Sequence, residues 1–518
     1  MRIEEQVEGR MRDGTVLRAD VYRPDGSGSW PALLLRLPYD KTTRHYRETF
    51  AEVERLTVAG YVVVIQDVRG RFASEGEFYP FIYEAEDGYD SVEWAARLPE
   101  VNGRVGMIGM SYHGFTQVAA AAGQPPSLVA IAPMMAFADG WSTMRGDRGV
   151  FEIGKWQTWV AESMLPDHLE RLEDPEGPDR ISRYLKDLPA WLGKGNPLTW
   201  PPVTAAGLPS YYNDFLLGNV SEETRERMQV NPESIKVPAL FLAGWYDCFL
   251  EETIDLYQRT AGPVELWIGP WTHEDQSGQA GDVFFPDAQV DRTALFLQWF
   301  DRWLRDEKAP PRNPVHYYVM NAGKWRSGTK IPEGNSETVF YMHSDGLLFG
   351  DAPEQASSIR IEHDPDYPVP TIGGNILMSG FPAGSFDQQE VQARSDVLVY
   401  TSAPLQENWE MLGTAQARLW MNASRPELPI GLRISEVQPD GSAWNVMDSL
   451  EGQPEAAGKR VIDIGRTAYW FSAGSRLRVE IYLSSFPRIE NGTSPAWAEI
   501  QGSSQLHVIA GTLPVFTN

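Results

Sequence analysis

Acyl transfer through a serine requires a hydroxyl that a base can deprotonate, a carboxylate that orients the base, and donors aimed at the oxygen that becomes negative. The 518-residue sequence offers a candidate hydroxyl in "RVGMIGMSYHGFTQVAAAAG", residues 104–123. There a short apolar run meets Ser111 and leads into an alanine-rich helical pattern, the strand, sharp turn and helix by which α/β-hydrolases present a nucleophile. The usual G-x-S-x-G spacing is displaced. Gly109 and Ser111 hold the first two positions, His113 stands at the third, and Gly114 follows one place late. From this stretch alone Ser111 reads as a nucleophile or as a serine in a turn.

A nucleophile needs partners, which follow it in α/β-hydrolases in the order acid, then histidine. Of the eight histidines, His45 precedes the serine, His113 lies on the predicted elbow helix and His168 falls in a non-alternating insertion. His316, His343, His363 and His507 fall in a β-rich tail. His273 remains, just past the predicted core strand of "VELWIGPWTHED". The same placement selects Asp247, at the end of "PALFLAGWYD" and one strand–helix unit earlier. Alone, Asp247 is an ordinary helix N-cap and His273 an ordinary loop histidine. Together they stand at successive strand ends, where catalytic groups collect in open parallel sheets, and they complete the order Ser111, Asp247, His273.

The elbow itself supplies one oxyanion donor, the backbone N–H of Tyr112. A second belongs in the loop after "PALLLRL", which reads "LPYDK". Pro38 has no N–H to give. The phenol of Tyr39 can donate, although from these residues alone a partly buried packing tyrosine is the default reading.

The elements that must hold these groups are short apolar runs alternating with helical ones. "PALLLRL", "YVVVIQDV", "RVGMIGM" and "LVAIAPMM" read as buried parallel strands, and "TFAEVERLTVAG", "EAEDGYDSVEWAARL" and "GFTQVAAAAG" as crossover helices. A hairpin is predicted in front of them around Asp13-Gly14. The expected fold is α/β, a doubly wound and mostly parallel sheet over residues 1–138 and 232–308. Residues 139–231 interrupt it with aromatic, Pro-rich helical text that predicts an inserted cap. Past the linker "DEKAPPRNP", closely spaced alternating segments predict an all-β sandwich or jelly roll over 309–518. In the cap and beside the acid, Trp141, Trp156, Trp159 and Phe249 are candidates for an aromatic acyl pocket, with packing as the competing role.

Composition excludes several function classes. A formal charge of −26 leaves no basic stripe for a nucleic-acid partner. The single cysteine, Cys248, excludes an intramolecular disulfide framework and a cysteine-rich metal site; beside the acid it reads as a small filler. With no apolar run of eighteen residues and no N-terminal apolar leader, the expectation is a cytoplasmic protein with no membrane partner. Monomer and homo-oligomer both remain open.

Several of these segments together resemble one family. "GMSYHG" is similar to the G-x-S-Y-x-G elbow of the cocaine esterase and X-Pro dipeptidyl peptidase hydrolases, a group that includes α-amino acid ester hydrolases and glutaryl-cephalosporin acylases. In that group the glycine comes three places after the serine, so the resemblance favours Ser111 as nucleophile. "RLPYDK" resembles the segment carrying the family's oxyanion tyrosine, here Tyr39. "VIQDVRGRFASEGEF" resembles its D-x-R-G-x-x-x-S-x-G signature, covering Asp67, Arg69, Gly70, Ser74 and Gly76. "GWYDCF" and "GPWTH" match its acid and base loops, Asp247 and His273. "VQPDG" and "FSAGSRLRVEIYLSSFPR" resemble its C-terminal jelly-roll domain of galactose-binding-like fold. One segment departs: "PIGLRISEVQPDG" stands where an acidic-aromatic strand often precedes the PDG turn, so no substrate contact is carried over to that domain.

The resemblance implies a serine hydrolase working through an acyl-enzyme, without metal or organic cofactor, on a small-molecule ester or activated amide. The alternative is an X-Pro dipeptidyl peptidase, or an α-amino acid ester hydrolase or β-lactam acylase, that anchors a free amino group on carboxylates such as Asp139, Glu251 and Glu252. A non-catalytic carbohydrate-binding protein is the contrasting class.

Overall fold

Continuous apolar runs become the innermost strands. The computed structural model describes residues 1–146, 148–193, 207–305, 314–355, 357–452, 455–511 and 514. Leu33 to Leu35 of β3 (Trp30–Leu37) and Val62 to Ile65 of β4 (Val62–Asp67) are fully buried, as strands covered on both faces must be. In front of them β1 (Arg2–Arg10) and β2 (Val16–Arg23) form the antiparallel hairpin about Asp13-Gly14. After them come β5 (Val101–Met110), β6 (Leu128–Met134), β7 (Ala239–Tyr246) and β8 (Val264–Thr272). From β4 through β3, β5, β6 and β7 to β8 every neighbour pairing is parallel.

Helices cover both faces of this sheet. α1 (Val53–Val58) packs Leu56 on one face; α2 (Glu84–Ala96) and α3 (Tyr112–Ala122) pack Val92 and Val118 on the other. The segment "TFAEVERLTVAG" is not one helix: a π-helical turn over His45–Phe50 ends before Glu52, whose φ of +41° breaks the run. The break lets both Phe50 and Leu56 reach the same buried cluster.

The inserted cap is helical: α4 (Gly140–Arg145), α5 (Ile153–Trp159), a π-helical turn over Val160–Met164, α6 (Leu165–Arg171), α7 (Gly177–Lys186), α8 (Leu188–Leu192), α9 (Ser210–Leu217) and α10 (Glu222–Arg227). Its core is Trp156, Met164, Leu169, Tyr184, Tyr212 and Phe215. Within the expected cap, residues 194–206 lie outside the described residues, as do 306–313 of the expected linker. The α/β pattern resumes with α11 (Leu250–Arg259), the small hairpin of β9 (Gln279–Ala280) and β10 (Val283–Phe284), and α12 (Arg292–Leu304).

The expected division at residue 308 does not coincide with the edge of the first sheet. β11 (Val315–Val319) lies parallel to β8, and β12 (Lys324–Gly328) lies antiparallel to β11, giving the order β1-β2-β4-β3-β5-β6-β7-β8-β11-β12. An open strand edge needs a partner for its backbone groups, and β11 supplies it to β8. Beyond them, two antiparallel sheets form the C-terminal domain. One contains β13 (Ser336–Met342), β14 (Leu348–Phe349), β15 (Ser358–His363), β17 (Trp409–Ala423), β20 (Ala457–Phe471), β22 (Ala496–Gln501) and β23 (Gln505–Ala510). The other runs β16-β21-β18-β19, with β16 at Val397–Thr401, β18 at Ile430–Val437, β19 at Ala443–Glu451 and β21 at Arg476–Tyr482.

This domain grips the cap. Arg488 pairs with Glu152 at the start of α5 at 2.5 Å and with Asp448 at 2.7 Å, and its carbonyl accepts from Gly154 N–H at 3.1 Å. Burial alone would raise the Glu152 carboxyl, but Arg488 and Lys155 bring it down to about 2. Among the described residues no helix is long and apolar enough to cross a membrane.

Candidate active site

Ser111 sits where β5 ends and α3 begins, with φ +58° and ψ −126°, a conformation an L-residue holds only under constraint. The constraint is the crossing of strand and helix. A Cβ on Gly109 would stand 2.1 Å from the His113 carbonyl oxygen, and one on Gly114 would stand 2.8 Å from Ala136 Cβ. Both positions therefore exclude any larger residue. His113 needs no such allowance, because its ring turns inward: Nδ1 accepts the Met110 N–H at 2.7 Å, and Phe50, Tyr46 and Tyr39 pack edge-on around it. Gln117 completes the clamp, donating to the Gly109 and His113 carbonyls and accepting Ala132 N–H, each at 3.0 Å. The displaced glycine thus reflects a histidine that bonds the elbow to itself.

His113 is 2% exposed, and burial pushes its imidazole well below the ordinary value of 6.5. The folded state holds it neutral while the unfolded chain takes up the proton, so its contribution to stability is complete above pH 6.5 and is lost as pH falls below it. The loss amounts to about 1.4 kcal/mol per pH unit. Between pH 7.5 and 5, the melting temperature of the parent should fall more steeply than that of His113→Gln, whose carbonyl can accept the same N–H without titrating. Parallel profiles would rule this contribution out.

Tyr112 anchors the elbow from its other side. Its hydroxyl donates to Glu84 at 2.9 Å and accepts Phe81 N–H at 3.0 Å, while Glu84 pairs with the buried Arg36 at 2.9 Å. Among the described residues the backbone N–H of Tyr112 meets no acceptor.

The expected acid and base stand at the ends of β7 and β8. Asp247 is fully buried and His273 is 6% exposed, with His273 Nδ1 2.7 Å from Asp247 Oδ1. The other carboxylate oxygen accepts Phe249 N–H at 3.2 Å, so Asp247 also serves the turn into α11. The Phe249 ring packs edge-on against His273 at 5.1 Å between centroids. Donation by Nδ1–H to Asp247 leaves Nε2 as the acceptor, the tautomer a general base requires.

The loop bearing Tyr39 is held at both shoulders, by the last residue of β4 and by the segment that follows it. Asp67 accepts Lys41 N–H at 2.9 Å and Lys41 Nζ at 3.0 Å. Burial raises the Asp67 carboxyl to about 6 against the pull of Lys41. Arg71 donates to the carbonyl of Pro38 at 3.0 Å, and across to the cap carbonyls of Met164 at 3.0 Å and Ser163 at 2.6 Å, with Asp167 3.2 Å away. Arg69, within the D-x-R-G signature, forks onto Asp87 instead. Ser74 donates to the Asp67 carbonyl and accepts Arg18 N–H. Sequence reasoning passed over Arg71 and His113. His113 left one signal, a ring nitrogen three residues from the last strand N–H.

The four aromatic candidates separate. Phe249 packs on His273, and Trp159 donates its indole N–H to the Tyr39 hydroxyl at 3.0 Å. Trp156 is fully buried between Phe215 and Trp159, and Trp141 lies against Phe215 beneath the Arg225 guanidinium. These last two pack the cap. Asp139 caps α4 through Ser142 and also accepts from Gln229, and Glu251 pairs with Arg466 at 3.0 Å. Both, with Glu252, border a cavity of about 870 Å³ that reaches Asp247 and Cys248 from the side of the β domain. Burial pushes the Cys248 thiol well up. Asp247, Cys248 and His273 offer ligand atoms within 4.8 Å of one another, but Asp247 and His273 already engage a carboxylate oxygen and Nδ1 with each other.

Residues 13–275 match the model of the X-Pro dipeptidyl-peptidase (S15) family. Residues 308–510 match that of the X-Pro dipeptidyl-peptidase C-terminal non-catalytic domain. The chain is 30% identical over 530 residues to the cocaine esterase of Rhodococcus sp. (strain MB1 Bresler), spanning 93% of this chain and 91% of that protein. An α-amino acid ester hydrolase structure superposes with a TM-score of 0.75 at 21% identity, covering 98% of this chain and 96% of that one. An aminopeptidase from a marine sediment Thaumarchaeota archaeon superposes with a TM-score of 0.74 at 22% identity over the same shares.

Proposed function

The chain belongs to the X-Pro dipeptidyl-peptidase (S15) family and is a serine hydrolase, and from that premise we propose that it cleaves carboxylic esters through an acyl-enzyme on Ser111. The observation that carries the reading is the 2.7 Å bond between His273 Nδ1 and Asp247 Oδ1 at the ends of adjacent strands, in the same sheet whose β5 ends at Ser111 on a constrained elbow. His273 Nε2 takes the Ser111 proton as Oγ attacks the ester carbonyl. The Tyr112 N–H and the Tyr39 hydroxyl donate to the oxyanion. His273 then protonates the departing alcohol, and the same nitrogen activates water to release the acid.

The groups around the acid favour an uncharged acyl portion. Phe249 and Leu250 follow Cys248 as buried apolar side chains, Asp139 is engaged by Ser142 and Gln229, and Glu251 holds Arg466 through one carboxylate oxygen while the other has no partner among the described residues. An uncharged aryl ester should therefore be hydrolysed with a kcat/KM at least about 100-fold above that for an X-Pro anilide or an α-amino acid ester. Equal or better turnover of the amine-bearing substrates would replace this reading with an amine-anchoring peptidase or acylase.

A further inference from the structure

The oxyanion tyrosine is held by a partner whose chemistry fixes which way the phenol points. Trp159 Nε1 lies 3.0 Å from the Tyr39 hydroxyl. An indole N–H donates and never accepts, whereas a phenol carries one proton and lone pairs. In this contact Tyr39 is necessarily the acceptor. Its own proton is turned away from Trp159, and among the described residues nothing accepts it. The indole is itself immobilised, lying parallel to Phe81 and Tyr112 at 6.3 Å from each ring and against Trp156 at 5.7 Å. Tyr39 in turn touches the rings of Tyr112 and His113 on either side of the elbow.

We infer that Trp159 is a positioning residue of the oxyanion hole, whose indole N–H occupies a lone pair of Tyr39 and so commits the phenol proton to the substrate oxygen. The inference rests on the acyl-enzyme reading proposed above. Charge agrees with geometry: burial holds the Tyr39 phenol up at about 12, so it stays protonated, while the Trp159 N–H pulls the other way and makes it a better donor. Accepting one bond while donating another also polarises the phenol, strengthening the second bond. This role differs from lining an acyl pocket, which would act on substrate affinity.

A double-mutant cycle on the full-length protein tests it, using an uncharged aryl ester and fluorophosphonate labelling followed by intact mass. Trp159→Phe keeps an aromatic ring in the stack and removes the donor together with the pyrrole half of the indole; it should lower kcat about tenfold with KM changed less than about threefold. Tyr39→Phe should lower kcat about 100-fold. In Tyr39→Phe the added Trp159→Phe change should cost less than about twofold, because the partner it acts through is gone. Additive losses, or an effect confined to KM, would overturn the inference and leave Trp159 as a pocket wall. Failure of the parent to take up a single fluorophosphonate on Ser111 would overturn the acyl-enzyme reading and this inference with it, an outcome distinct from normal labelling with an additive cycle.

Discussion

Ser111→Ala is expected to lower kcat for an aryl ester by roughly 10⁴- to 10⁶-fold, leaving the residual rate that binding and the oxyanion donors sustain without a nucleophile. The loss should fall on kcat, because removing one hydroxyl from the half-buried Ser111 takes little from substrate binding. His273→Ala should cost a comparable factor, and the two changes together no more than either alone, since the base has no purpose without the hydroxyl it deprotonates. Steady-state kinetics of the three variants, with unchanged circular dichroism as the control for folding, decide the matter. A Ser111→Ala protein retaining more than a hundredth of parental kcat would place the nucleophile elsewhere.

Arg71→Ala carries the largest expected loss of stability. The guanidinium is 2% exposed, donates to the carbonyls of Pro38, Ser163 and Met164, and lies 3.2 Å from the buried carboxylate of Asp167. Burial lowers its pKa and Asp167 opposes that shift, so the charge persists because the site is built around it. Removing it takes a donor from each of three carbonyls and leaves Asp167 with Arg171 and the Phe72 N–H, each at 3.3 Å, a loss of about 3–5 kcal/mol. Urea denaturation should report it as a lower midpoint. Adding Asp167→Ala should restore part of the loss, because the stranded carboxylate goes too. A double variant less stable than the single would show that the carbonyls, not the charge, set the energy.

Strand ends, and with them the pairing of Asp247 with His273, were legible because each residue lies directly after an apolar run that can only be buried: Asp247 after "PALFLAGWY" and His273 after "VELWIGPWT". Contacts between distant segments were not. Trp156 and Trp159 share one face of α5, yet the first is sealed among Phe215 and Tyr212 while the second reaches 120 positions back to Tyr39. Helical spacing cannot separate these fates. Likewise the alternating pattern of Val315–Val319 marks a strand without marking which sheet has an open edge for it; it joined β8. The turn of His113 onto Met110 N–H is local, but only the close crossing at Gly109 and Gly114 gives it a reason.

The clamp of Arg488 on Glu152 spans 336 positions. On the ribosome, Ser111, Asp247 and His273 are all made before the anchor that seats the start of α5 has been synthesised, so the helix bearing Trp159 gains its distal hold only near the end of translation. The nascent chain therefore carries Ser111 through most of synthesis before the tail fastens the start of the helix that bears Trp159.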